Sequence, residues 1–297
     1  MRRFVRWVAF IAIGLVAVAA IGYGIVLVAS NRALDQRVAV TRPAPVLGHG
    51  TVERGRHIFT AVSSCVVCHG QDGGGGPFIN EPNMAVLHAP NLTRGPGGIG
   101  AAYTDADYDR AIRRGIRADG TRLLFMPSWA YAALTDDDAA SLIAYLRSLP
   151  SVDRATPRVR LGPLGRVLVA TNKLPFDATR IEDEVLPPPP QLLAPVEHGK
   201  YLARIGGCMS CHGTHLSGGH LAGGPDVPPA SNLTPAGLLR NWTEVDFMRA
   251  LTKGTDKAGH PIDPFMPWRT IRGMTDDELE AIFSYLKTVP PRADGNG

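Results

Sequence analysis

Two halves of this 297-residue chain repeat each other, and the repeat absorbs every cysteine it has. "SSCVVCHG" at 63–70 holds Cys65, Cys68 and His69, and "GGCMSCHG" at 206–213 holds Cys208, Cys211 and His212. Around these copies of C-x-x-C-H-G the match continues. "ERGRHIF" (53–59) answers "EHGKYLA" (197–203), and "NLT" recurs at Asn91 and Asn232. "YTDADYDRAIRRG" (103–115) parallels "WTEVDFMRALTKG" (242–254), and residues 125–150 parallel 265–290 without a gap. A period this long makes each half a complete folding module and not one turn of a solenoid.

The local signals inside each half are helical. Thr135 with Asp138, and Thr275 with Glu278, stand as capping pairs, while Pro150 and Pro290 mark the stops. Ala139, Leu142, Ile143 and Leu146 form one apolar stripe, repeated by Leu279, Ile282, Phe283 and Leu286. Those stripes are expected to pack on opening helices over 52–62 and 196–206, with Tyr145 and Tyr285 as core. Glycine at 33 and proline at 25 are high, which fits short helices joined by long loops. The expected fold class is all-α, with modules over 46–150 and 196–290. Residues 151–195 are read as a linker, stiffened by Pro187 to Pro190; within it "RVLVATNKL" is read as plain linker packing, the alternative being a short helix wedged between the modules or touching the membrane.

Residues three apart on a helical turn face the same side, and a histidine directly after the second cysteine completes the pattern of c-type haem attachment. Disulfides would not explain the histidine in both copies. Zinc would need four ligands gathered together, and the cysteine pairs lie 143 residues apart. A thioredoxin-like pair would need neither histidine nor duplicate. Cys65, Cys68, His69, Cys208, Cys211 and His212 therefore read as two covalent haem c sites, with His69 and His212 as iron ligands.

A six-coordinate haem needs a ligand opposite the histidine, and methionine is a common one. Met126 lies 57 residues after His69, and Met266 lies 54 after His212, each within Phe-Met-Pro. Adaptable core filling is the ordinary role of methionine, but recurrence at matched positions selects these two as ligands. Met84, Met209, Met248 and Met274 have no methionine counterpart and are assigned to the core. His88 and His220 do not correspond in the repeat. His49, His57, His198, His215 and His260 are read as solvated or packed. Asn91 with Thr93, and Asn232 with Thr234, either hydrogen-bond haem propionates or shape a turn.

Between Arg6 and Arg32 run 25 residues without a charge, about 37 Å of helix and enough to cross a bilayer. Arg2, Arg3 and Arg6 precede them, so residues 1–31 read as a single-pass anchor in a bacterial cytoplasmic membrane, with the modules on the periplasmic side. The alternative, a signal peptide cleaved near Val28-Ala29-Ser30, asks for a shorter apolar core. Three of the four net positive charges are those arginines, so the remainder is nearly neutral. With no basic patch interleaved with aromatics, nucleic acid is excluded as a partner.

Together the two C-x-x-C-H-G copies, "NLT", the aromatic-Thr-x-x-Asp helix, the Phe-Met-Pro loop and the closing Thr-Asp-Asp helix resemble the class I c-type cytochrome domain. In detail they are similar to the cytochrome subunit of membrane-bound alcohol and gluconate dehydrogenases, over residues 46 to 290. The resemblance implies tandem all-α haem domains. Such domains accept electrons from a periplasmic dehydrogenase and pass them to quinone or a terminal oxidase chain. An electron carrier without catalytic residues is thus the expected function. The alternative, a di-haem peroxidase, requires one iron with an open site and acid-base residues above it, whereas both halves supply a methionine.

Overall fold

The computed structural model describes residues 2–38, 48–174, 176–183, 194–220 and 228–295. Helix α1 (Arg2–Asp35) carries the apolar N-terminus as one continuous rod. The first module starts with α2 (Val52–His57), whose cap Thr51 accepts the Arg54 N–H at 3.2 Å. The helix then widens into a π turn over Ile58–Val62, so the expected helix 52–62 is present in two registers. It continues through α3 (Val66–His69), strands β1 (Gly76–Glu81) and β2 (Ala85–Ala89), α4 (Asp105–Arg114), α5 (Ser128–Tyr131) and α6 (Asp136–Ser148). Strand β3 (Arg160–Leu161), α7 (Pro163–Ala170) and α8 (Asp177–Asp183) follow. The second module comprises α9 (Pro195–Ile205), α10 (Cys208–His212), α11 (Glu244–Lys253), α12 (Trp268–Ile271) and α13 (Asp276–Thr288).

The all-α expectation needs correction. Strands β1, β2 and β3 form an antiparallel sheet in that order. Period-two burial of Ala85, Leu87 and Ala89 explains β2, since those side chains face the protein while Val86 and His88 alternate with them. Strand β3 comes from the segment read as linker, pairing Leu161 with Ala85. That segment is no free spacer: β3, α7 and α8 pack against the first module and against α1. The tetraproline, Pro187 to Pro190, lies outside the described residues.

Each module closes by crossing its first and last helices. Matched glycines permit it: a Cβ on Gly55 would sit 1.9 Å from the Ser141 carbonyl oxygen, and one on Gly199 would sit 1.8 Å from that of Ala281. Only a residue without a side chain lets backbones approach so closely. Capping boxes at Thr104/Asp107, Thr243/Asp246 and Thr275/Glu278 fix the helix starts. Thr135 caps α6 through the Asp138 N–H, but the Asp138 carboxylate is turned elsewhere.

It turns toward the other module. The two halves share one contiguous core, in which Ile58, Phe59 and Leu142 belong to the same buried cluster as Leu202, Leu279 and Leu286. Across it the contacts are reciprocal. His57 Nε2 lies 2.7 Å from Glu278 Oε2, while at the matched place Tyr201 donates to Asp138 Oδ2 at 2.6 Å. Arg54 joins both, at 2.9 and 3.0 Å to Asp138 and 3.1 Å to Glu278. Burial alone would raise the Glu278 carboxyl, but hydrogen bonds from His57 and the Thr275 N–H, with Arg54, outweigh it and hold it at about 2. These contacts favour one arrangement of the modules, because any other docked arrangement would leave the buried Glu278 carboxylate without its partners.

Candidate functional site

In both halves the cysteine pair is carried by one short helix, Cys65 as the N-cap of α3 and Cys208 as the first residue of α10, with residues of positive φ at the ends. Gly70 (φ 73°) ends α3, and Gly207 (φ 74°) and Gly213 (φ 79°) bracket α10. Where the second copy has Gly207, the first has Ser64 at φ 49°. Its hydroxyl contacts Thr270 Oγ1 of the second module at 2.6 Å, which compensates the strain. All four cysteines are partly buried. Burial pushes the Cys65 and Cys208 thiols up to about 12 and that of Cys68 to about 11. Cys211 is raised by the same cause.

The histidines are aimed by the segments that carry "NLT". His69 Nδ1 lies 3.1 Å from the carbonyl of Pro90, and His212 Nδ1 lies 2.7 Å from that of Ser231. A carbonyl only accepts, so Nδ1 carries the proton, and Nε2 is left with a lone pair able to ligate a metal. Burial lowers both imidazole pKa values, opposed by those carbonyls, and keeps the rings neutral.

The residues after the carbonyls have a different task. Asn91, fully buried, donates from Nδ2 to the carbonyls of Val152 (2.8 Å) and Arg154 (3.1 Å), and its Oδ1 accepts from Thr93 N and Oγ1. Asn232 donates to the Arg292 carbonyl at 2.9 Å and accepts from Thr234 N. Of the two expected roles, turn shaping is the one these contacts describe: each asparagine ties the histidine's loop to the chain leaving the closing helix.

Met126 and Met266 each open a turn closed by the same backbone hydrogen bond. The Ser128 N–H donates to the Met126 carbonyl at 2.8 Å, and the Trp268 N–H to the Met266 carbonyl at 2.8 Å. Phe125 takes the left-handed conformation (φ 71°) before the first turn. Both methionines are partly buried and pack on the cluster that Cys65 and Cys208 also line. Met274 is buried, and Met209 and Met248 are partly so, as assigned from sequence. His88 pairs along β2 with Pro77, and His220 is exposed.

These residues suit a covalently held haem. Two thiols on one turn, a neutral imidazole with Nε2 unengaged and a thioether on the same apolar cluster are its donor set. The indole N–H of Trp268, two residues beyond Met266, is buried without a partner, as expected beside a group that brings its own acceptors. Among the described residues no three His, Cys, Asp or Glu side chains converge as a bare metal site requires.

Sequence reading missed His57, Glu278 and Tyr201 as inter-module contacts. The signal was present in the repeat, since His57 aligns with Tyr201 and Asp138 with Glu278.

Comparison with known proteins agrees with the geometry. Residues 50–146 match the family model of cytochrome c oxidase, cbb3-type, subunit III, and residues 196–290 match that of cytochrome c. The fructose dehydrogenase cytochrome subunit of Gluconobacter japonicus is 29% identical over 87% of this chain and 57% of its own length. The cytochrome c subunit of the alcohol dehydrogenase (quinone) of Gluconacetobacter polyoxogenes is 30% identical over 83% of this chain and 57% of its own. The chain thus spans rather more than half the length of these relatives. A diheme cytochrome c-type protein of Cereibacter sphaeroides is 30% identical, and the match covers 81% of this chain and 86% of that protein. With two domains of this kind behind an apolar helix, the chain belongs to the cytochrome c family.

Proposed function

We propose that this chain is a two-haem electron carrier held on the outer face of the cytoplasmic membrane by α1. Cys65 and Cys68 hold one haem c and Cys208 and Cys211 a second, in modules spanning 46–150 and 196–290. His69 with Met126 would hold the iron of the first, and His212 with Met266 that of the second. The observation that carries this reading is the duplication in detail: in each half a backbone carbonyl orients the imidazole and the same backbone turn presents the thioether. When bound, haem supplies a one-electron change at iron.

The protein's own residues set the conditions for it. The carbonyls of Pro90 and Ser231 fix each ring and raise its basicity. The thioethers favour the reduced state relative to a second imidazole. The shared core excludes water and holds the two modules in one arrangement, so little rearrangement accompanies electron uptake. No side chain is asked to move a proton. Substrate oxidation, in this reading, belongs to a periplasmic dehydrogenase, and quinone or a terminal oxidase chain takes the electrons. The names of the fructose and alcohol dehydrogenase subunits support that assignment.

Retention of α1 is supported by its packing. Ser30 is fully buried, and Arg166 bonds to Ser30 (3.0 Å) and Asn31 (2.8 Å). Arg122 donates to the Ala33 carbonyl at 2.7 Å. Cleavage near residue 30 would expose this contact. Mass spectrometry of protein purified from membranes tests both halves of the proposal: the expected mass is the intact chain plus two haems, and a mature start near residue 30 or a single haem would refute it.

A further inference from the structure

We infer that the start of α7 is a second membrane contact, seated in the outer lipid headgroup zone beside α1. The inference rests on reading α1 as a retained anchor. Helix α7 runs alongside α1 in the same direction: Arg166 bonds to Ser30 and Asn31, and beyond the end of α7 Phe176 lies under the Arg122 guanidinium, which bonds to Ala33 and Gln36 further along α1. Stepping back from Arg166 by the same register sets Pro163 level with Leu27 and Val28, and Leu164 level with Val28 and Ala29; Leu27 and Ala29 are partly covered.

The depth of that level follows from α1. Trp7 and Tyr23 stand exposed on it as interfacial aromatics do. About 20 residues of helix cross a hydrocarbon core of about 30 Å. Counted from Trp7, that reaches Val26. Leu164 therefore lies just beyond the outer edge of the hydrocarbon, in the headgroup zone, and Val167 about one turn above it.

What faces outward there is apolar. Leu164 is 52% and Val167 38% exposed, three residues apart and so on one face. Arg160 and Lys173, both exposed, flank the helix, and Arg32 is exposed on α1. An apolar face rimmed by cations fits an anionic lipid surface. The tip of the β1–β2 hairpin goes with it, since the Leu164 N–H donates to the Asn83 carbonyl and the Gly162 N–H to that of Met84, both at 3.0 Å. With eight residues α7 is far too short to span, so it lies on the membrane and sets the first module against it.

The test is nitroxide accessibility of the full-length holoprotein in phosphatidylglycerol-containing nanodiscs. Single cysteines replace Leu164, Leu15 in mid-anchor and Val245 on the second module, and collision with oxygen is compared with collision with a water-soluble nickel chelate. The expected result is an oxygen-to-nickel ratio at Leu164 several-fold above that at Val245 and approaching that at Leu15. Free nickel access at Leu164 with Leu15 shielded would overturn the contact while leaving the anchor intact. Exclusion of both probes at Leu164 would show protein, not lipid, covering the face, and would also overturn it. Nickel access at Leu15 would refute the anchor and the contact together.

Discussion

Replacing Gly55 or Gly199 with alanine tests the packing that closes each module. On helix propensity alone the change stabilises, by about 0.8–1 kcal/mol per site. The structure sets a larger cost against it. The new methyl would lie 1.9 Å from the Ser141 carbonyl oxygen, or 1.8 Å from that of Ala281, where ordinary contact begins at 3.4 Å. Both obstacles are backbone atoms of the closing helix, so α2 and α6, or α9 and α13, must separate by about 1.5 Å, with the side chains between them moving off their packed positions. Overpacking of this kind costs about 1–3 kcal/mol, and rigid backbone on both sides places these sites at the upper end. The expected net loss is about 1–2 kcal/mol per variant, or a fall in Tm of about 2–8 °C. Thermal unfolding in detergent followed by far-ultraviolet circular dichroism measures it. Because the modules share one core, each variant is also expected to shift one transition as a whole. Alanine variants as stable as the parent, or a first module melting alone in Gly55→Ala, would refute the reasoning.

Glu278→Gln is expected to lower stability at neutral pH by about 2–3 kcal/mol, since His57 and Arg54 lose a charged acceptor. The parent's carboxyl is held at about 2 against an ordinary 4.5, so its contribution is complete above about 4.5 and disappears as pH falls toward 2. Urea midpoints across that range should be flatter in the variant; an unchanged slope would contradict the assignment. Asn91→Ala should cost about 1–3 kcal/mol by unpairing the carbonyls of Val152 and Arg154, with little change in reduction potential. A propionate role would give the opposite pattern, a shifted potential at nearly constant stability.

The recurring motifs were legible in the sequence. C-x-x-C-H and Phe-Met-Pro stand out because the proposed thioether attachment and methionine ligation would demand fixed residue types at fixed spacing, and a second copy argues against coincidence. The closing helices were legible through period and caps, since an amphipathic stripe between Thr-x-x-Asp/Glu and proline has few alternatives. Long-range geometry was not. Glu278 reads locally as a capping residue and His57 as a solvated one, and only the approach of the modules makes them partners. The three-stranded sheet escaped because β3 contributes just Arg160 and Leu161, too short for any alternation to register. Asn91 had two chemically sensible roles, and its surroundings decided between them. The segment around α7 looked like linker because its covered face is covered by α1, a contact no local pattern announces.

The central claim, two haems each held between a histidine and a methionine, is tested most directly by the visible and near-infrared spectrum of the purified protein with its haem content. The expected result is two haems per chain and the weak ferric methionine charge-transfer band, reduced in Met126→Ala, reduced also in Met266→Ala, and abolished in the double variant. One haem per chain, or a band indifferent to either substitution, would contradict it.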